Sequence, residues 1–261
     1  NKLKILNMKK YHFAFDTSTK NKKLKKYLLN KYKNHQAHLS NFIIVLGGDG
    51  FMLQTLKKYK KYNKPFYGIN RGTYGFLMNK FKNLNIDNFI SKTKLIVISP
   101  LEMKALTKSG KIYKAIAINE ISLLRQTKQT SLLQILNEKR ILIKKLFCDG
   151  VLVSTPAGST AYNLSVGGPI LSLNSKQIAV TPISPFRPRR WKGKVVPSSS
   201  VIKIKNLNID KRSVSAVADN IEIRNVKKVR IAINNKIKFK LLYDKNISLT
   251  KKISLEKRMK K

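Results

Sequence analysis

Cysteine is almost missing from this chain of 261 residues. Cys148 stands alone, so no intramolecular disulfide framework can form and a reducing, cytoplasmic setting is expected. Histidine is scarce as well: of His12, His35 and His38, the latter two sit in a basic, polar segment with no cysteine or acid beside them. That leaves little material for a zinc site or for a Ser-His-Asp hydrolase. Long apolar runs are also lacking. The stretch Phe42 to Leu46 falls far short of the ~20 residues that span a bilayer, and NKLKILNMKK at the start has no continuous apolar core of a secretory signal. Neither a membrane segment nor export is expected.

The scarcity with the widest consequence is that of acids. Twelve Asp and Glu face 55 Lys and Arg, a formal charge of +43. Such an excess is one mark of nucleic-acid binding, but here it is spread along the chain, densest at Lys20 to Lys33, Lys57 to Lys64 and Lys251 to Lys261. The chain is also rich in Asn and Ile. This pattern reads as a compositional bias with solvated lysine faces, and nucleic acid is not an expected partner. Long-range steering of small anions is its expected consequence.

The hydrophobic share of 42% is enough for one large or two modest domains. Two textures divide the chain. In the first, Lys22 to Lys33 reads as an amphipathic helix and NFIIVL (Asn41 to Leu46) as a buried parallel strand. Glycines then turn the chain into a helix at FMLQTLKKYKKY, and FYGIN (Phe66 to Asn70) reads as the next strand, the grammar of an α/β domain. From Ser99 the texture is β-rich. Residues Ile112 to Leu124, Leu132 to Leu136, Arg140 to Phe147, Val151 to Ser154, Gln177 to Ile183, Val201 to Ile204, Ser213 to Ile223 and Val229 to Leu242 read as strands. Turns are expected at Ser109-Gly110, Asn137-Glu138 and Asn234-Asn235, and a helical interruption after Pro156. The expected division is an α/β, Rossmann-like domain over 1–98, a β-rich, sandwich-like domain over 99–242, and a C-terminal segment 243–261 that packs back on the first.

With so few acids, four in apolar company stand out: Asp49 in VLGGDGFML, Glu120 in IAINEISLL, Asp149 in KLFCDGVLV and Asp219 in SAVADNIEI. A carboxylate near buried surface is costly unless something pairs with it. Asp149-Gly150 and Asp219-Asn220 are also ordinary hairpin-turn dipeptides, and Glu120 has many lysines to pair with. Asp49 is harder to explain as structure. Gly47 and Gly48 before it and Gly50 after it let backbone amides approach a ligand, and amides at a helix start suit phosphate. An acid there serves as a base toward a hydroxyl or brings in a divalent metal, most suitably Mg²⁺ held by oxygen ligands and substrate phosphates. Phosphoryl transfer is the chemistry that fits. There is no GxxxxGK[ST], and GGDG does not meet the GxGxxG spacing.

A second dense stretch, STPAGSTAYNLSVGGP (Ser154 to Pro169), combines small residues, hydroxyls and one tyrosine. It can line a ligand, with Tyr162 offering a face for stacking, or it can be a capped helix packing by alanine and glycine. Read together, GGDG, Asn119-Glu120, CDGVLVSTPAGSTAYNLSVGGP, PFRPRRWKG and VADN resemble the NAD kinase family in its bacterial form. GGDG alone also resembles loops of diacylglycerol kinases, other lipid kinases and phosphofructokinases, whereas the STPAGSTAY run is far more specific.

The resemblance implies an ATP-dependent NAD kinase with Mg²⁺ and an α/β domain joined to a β-rich domain. It implies that Asp49 accepts the proton of the 2′-hydroxyl on the adenosine ribose of NAD, with Gly50 beside the ligand. Asn119 and Glu120 match contacts to adenine and ribose. Asp149 and Thr160, Ala161, Tyr162, Asn163, Leu164 and Ser165 match the rest of the dinucleotide segment, and Asn220 a further contact. Relatives often carry Arg where this chain has Phe147. Family members form homodimers or homotetramers, so a monomer is not expected. The alternatives that the residues leave open are another GGDG kinase and a basic RNA-binding module without catalysis.

Overall fold

The computed structural model describes residues 9–17, 22–71, 75–80 and 85–245. Two compact units divide the chain, one running to Ile98 and resuming at Lys238, the other comprising Ser99–Ile237. The first unit starts with β1 (Tyr11–Phe15), α1 (Lys22–Lys31), β2 (Phe42–Gly47), α2 (Asp49–Tyr59), β3 (Pro65–Asn70), α3 (Ile86–Ser91) and β4 (Thr93–Ile98). Ile43, Ile44, Val45 and Leu46 of β2 are all buried, as in a strand covered on both faces. The pairs β1 with β2 and β2 with β3 are parallel, and each connection carries a helix, because parallel neighbours need a crossover. Leu28 of α1 packs with Ile44, Leu46, Tyr67, Ile69 and Ile86. At the carboxyl ends of these strands the Asp16 N–H donates to the Leu46 carbonyl and the Arg71 N–H to that of Gly47, each at 2.9 Å. This is the edge where open parallel sheets bind ligands.

The second unit holds β5 (Leu101–Thr107), β6 (Ile112–Ala117), β7 (Glu120–Arg125), β8 (Ser131–Asn137), β9 (Arg140–Cys148), β10 (Gly150–Ser154), the single-turn α4 (Tyr162–Ser165), β11 (Gln177–Ile183), β12 (Lys194–Pro197), β13 (Ile202–Asn206), β14 (Val214–Ala218), β15 (Ile221–Ile223) and β16 (Val226–Ile233). They form two six-stranded sheets, in the orders β6-β5-β16-β13-β8-β9 and β12-β11-β10-β7-β14-β15. Alternation aims Leu101, Met103 and Ala105 of one sheet and Ile121, Leu123, Val151 and Val153 of the other into one core, the arrangement of a β-sandwich. The chain then returns to the first unit as β17 (Phe239–Asp244), which pairs parallel with β3 and antiparallel with β4. Among the described residues no helix is long and apolar enough to cross a membrane.

Three runs read as strands are each two, and two of them divide where a turn dipeptide was read, at Asp219-Asn220 and Asn234-Asn235. Ile112 to Leu124 breaks at Ile118-Asn119, sending β6 and β7 to different sheets. Ser213 to Ile223 is a hairpin turning at Asp219-Asn220, with Asp219 at φ 52°. Val229 to Leu242 breaks after Ile233, where the Asn234 side chain accepts from the Lys236 and Ile237 N–H groups, so Phe239 to Leu242 lie in the first unit rather than the β-rich one. At the first break apolar, β-prone residues run almost unbroken through Asn119, whereas the other two carry polar turn residues, Asp219-Asn220 and Asn234-Asn235-Lys236. The short elements β1, β4, β12 and α3 carried too little periodicity to be read, and β5 was not singled out although it alternates.

Candidate active site

The glycine loop closes β2 and opens α2. Gly48 is the N-cap in an extended conformation, φ −103° and ψ −177°, with no side-chain cap bond. Its neighbour Gly47 is needed for packing, since a Cβ there would lie 2.9 Å from the Phe51 ring and 3.0 Å from the Asp16 Cβ. Gly48 and Gly50 differ: a Cβ at either would meet nothing within 4 Å. Neither is held by backbone strain. What their missing side chains leave is clear access to the backbone at the start of an eleven-residue helix, where N–H groups and the helix dipole favour an anion.

Asp49, the first residue of α2, is gripped by a second loop. The Phe76 N–H donates to its Oδ2 at 2.7 Å and the Leu77 N–H to its Oδ1 at 3.0 Å. These two bonds use about half of a carboxylate's roughly four acceptor sites. The gripping loop is itself anchored. Asn79 is buried, its amide donating to the Gly68 and Leu242 carbonyls and accepting from the Asp244 N–H. The Tyr243 hydroxyl donates to the Phe76 carbonyl at 2.6 Å. Burial, and then the negative charge of Asp49, push the Tyr243 phenol well above its ordinary range. Neither the grip nor its anchors were read from the sequence.

The β-rich unit carries a separate polar constellation at the break between β6 and β7. The Asp219 carboxylate accepts from the Ile118 and Asn119 N–H groups at 2.9 and 3.0 Å. Thr155 holds the other side, its hydroxyl donating to the Ile118 carbonyl and its N–H to that of Asn119. Gly158 packs so closely that a Cβ would sit 2.2 Å from the Asn119 carbonyl oxygen. The peptides around Asn119 and Glu120 are thus clamped, while three polar atoms of this unit are buried without a hydrogen-bond partner: Asn119 Oδ1, Glu120 Oε2 and, in the segment after Gly158, Thr160 Oγ1. Such atoms are rare in native proteins and call for an explanation. The Glu120 carboxyl is pushed up to about 7, first by burial and second by the charge of Asp219.

The remaining candidates divide by exposure. Tyr162, at the start of α4, is 36% exposed; Ser165 is exposed too, and Ala161 and Leu164 are half-buried. Asn163 is fully buried, its Nδ2 donating to the Pro169 and Ser159 carbonyls and its Oδ1 accepting from Thr181. Gly168 packs against that amide, since a Cβ there would lie 2.3 Å from Oδ1. Asn163 therefore organises the segment from inside. Asp149 pairs with Arg125 Nε at 2.6 Å, and Asn220 is exposed on the β14–β15 hairpin. The Arg212 guanidinium lies over the Phe147 ring, 5.4 Å from its centroid. Burial pushes the Cys148 thiol up to about 11, which removes it as a nucleophile at neutral pH. Among the described residues no group of three His, Cys, Asp or Glu could hold a metal ion.

Comparison with known proteins covers both units. Residues 1–97 match the ATP-NAD kinase N-terminal domain and residues 118–244 the ATP-NAD kinase C-terminal domain. The NAD kinase of Zymomonas mobilis is 47% identical over 229 residues, covering 86% of this chain and 88% of the relative. That of Brucella suis is 42% identical over 245 residues, covering 94% and 95%. The crystal structure of yeast NADH kinase complexed with NADH has a TM-score of 0.77 at 20% identity, covering 90% of this chain and 83% of that one. An NAD kinase from Archaeoglobus fulgidus in complex with ATP has a TM-score of 0.71 at 23% identity, covering 91% and 94%. These two show the shared fold. With identity sustained through the α/β and the β-rich unit alike, the chain belongs to the NAD kinase family.

Proposed function

We propose that this chain is an ATP-dependent NAD kinase, transferring the γ-phosphoryl group of ATP to the 2′-hydroxyl of the adenosine ribose of NAD to give NADP and ADP. The observation that carries the reading is the setting of Asp49: a carboxylate fixed by two amides beside glycines that leave open space. Phosphoryl transfer depends chiefly on positioning and charge stabilisation, and this setting supplies both. Asp49 accepts the proton of the 2′-hydroxyl as that oxygen bonds to the γ-phosphorus and the bond to the ADP oxygen breaks. Gly47, Gly48 and Gly50 form the approach for phosphate.

In the β-rich unit, Asn119 addresses the adenine edge and Glu120 the ribose. The unpartnered Asn119 Oδ1, Glu120 Oε2 and Thr160 Oγ1 are the groups that a polar ligand would satisfy. Ala161, Tyr162, Leu164 and Ser165 line the dinucleotide, Asp149 and Asn220 add contacts, and Asn163 holds the segment in shape. The described acids do not assemble a cage for a resident metal, so Mg²⁺ belongs to the reading as part of the MgATP substrate, held by phosphate oxygens. A homodimer or homotetramer in the cytoplasm completes the proposal, supported by the family likeness and by the single buried cysteine.

A coupled assay for NADP from NAD and ATP, with and without Mg²⁺, tests the reading. Formation of NADP only when all three are present is expected. Phosphorylation of a diglyceride or sugar in a substrate panel, with NAD left untouched, would overturn it.

A further inference from the structure

The peptide between Phe76 and Leu77 is bonded at both ends. Its N–H, on Leu77, donates to Asp49 Oδ1 at 3.0 Å, and its carbonyl, on Phe76, accepts from the Tyr243 hydroxyl at 2.6 Å. We infer that Tyr243 is a positioning residue for Asp49, acting through this peptide. The inference rests on the reading of Asp49 as the proton acceptor.

The chain of bonds runs from hydroxyl to carbonyl and from amide to carboxylate. Hydrogen bonds in such a chain polarise one another, so the phenol makes the Leu77 N–H a better donor to Asp49. Position follows from the same contacts. Tyr243 is 2% exposed, which fixes its ring, and its raised ionisation keeps the hydroxyl a donor throughout the neutral range. Its neighbours in β17 fasten the other end of the loop: the Leu242 carbonyl and the Asp244 N–H both bond the Asn79 side chain. Gly75 closes the near side, where a Cβ would lie 2.9 Å from the Met78 Cβ and 3.2 Å from Asp49 Oδ1. A strand 167 residues along the sequence from Phe76 thereby sets where the carboxylate stands.

Tyr243→Phe keeps the ring and removes the hydroxyl. Steady-state kinetics should show kcat reduced about 3- to 10-fold, the share of one hydrogen bond, with KM for ATP changed by less than about twofold. A double-mutant cycle separates positioning from general damage. On an Asp49→Asn background the same substitution should change the residual kcat by less than about twofold, because the group it positions no longer accepts a proton. Equal losses in both backgrounds, or no loss in the parent, overturn the inference. The parent and Asp49→Asn arms report separately on the kinase reading: a parent without NADP formation defeats that reading, whatever Tyr243 does. Should Tyr243→Phe not fold, hydrogen exchange on the parent decides. Leu77 and Phe76 amides protected as well as β3 are expected, and exchange at the rate of an open loop overturns the inference.

Discussion

Two residues show how charge can be tested apart from shape. Asp49→Asn keeps the outline of the side chain but loses the basic group, and it keeps an acceptor for only one of the Phe76 and Leu77 amides, which bond different oxygens. Stopped and steady-state assays should find kcat lower by about 10²–10⁴-fold, while NAD affinity from direct titration changes by less than about tenfold. A near-normal kcat would reduce Asp49 to a binding residue. Glu120 offers a pH test on the ligand-free protein. Its carboxyl is raised to about 7 from an ordinary 4.5 by burial and by Asp219, so the folded state holds a proton that the unfolded state releases. The resulting stabilisation is full below about pH 4.5 and is lost as pH rises through about 7, on the order of 1–3 kcal/mol. Thermal melts should therefore fall between pH 5 and 7.5, and Glu120→Gln should flatten that slope. An unchanged slope in the variant would assign the pH dependence elsewhere.

At the scale of elements, the glycines around Asp49 separate folding from function. Alanine at Gly50, inside α2 and facing open space, should stabilise the helix by up to about 1 kcal/mol while its methyl obstructs the phosphate approach. A melting temperature equal to or above that of the parent, together with a KM for ATP raised at least about tenfold, is the expected pair of results. A stable variant with normal kinetics would remove the phosphate role of the loop. Gly158 is the opposite case, because a Cβ there meets the Asn119 backbone at 2.2 Å. GGDG, Asn119-Glu120 and the STPAGSTAY run carry the family likeness in residue types at short range. The grip on Asp49 does not, since Phe76 and Leu77 act through N–H groups that almost any residue possesses and Tyr243 is distant in sequence. Asn163 was expected to meet the dinucleotide, and its buried bonds to the Ser159 and Pro169 carbonyls escaped because an amide that meets ligand and one that meets carbonyls look alike in sequence. The strand break at Asn119 escaped for a related reason: a polar residue inside an apolar run marks a change of sheet only when the partner strands are known.

Over the whole molecule, the excess of 43 positive charges acts on stability and on encounter with opposite signs. On the outer face of one sheet Lys104 stands opposite Lys114 and Arg230, and Lys203 opposite Arg230, pairings that destabilise a sheet. Raising ionic strength from low to physiological, where the Debye length shrinks to ~8 Å, should raise the melting temperature. The same change should lower kcat/KM for NAD and ATP wherever encounter limits it. A melting temperature that does not rise would remove the self-repulsion, and a kcat/KM that does not fall would remove the steering. The return of β17 to the first sheet has a consequence for the order of events at the ribosome. Because it lies between β3 and β4, the sheet that bears Asp49 stays incomplete until residues 239–244 have been made, after the whole of the β-rich unit. A chain halted at Ile237 has every strand of the sandwich yet lacks Tyr243 and the Leu242 and Asp244 backbone that tie down Asn79. The nascent protein can fold its β-rich half early, and Asp49 is seated last.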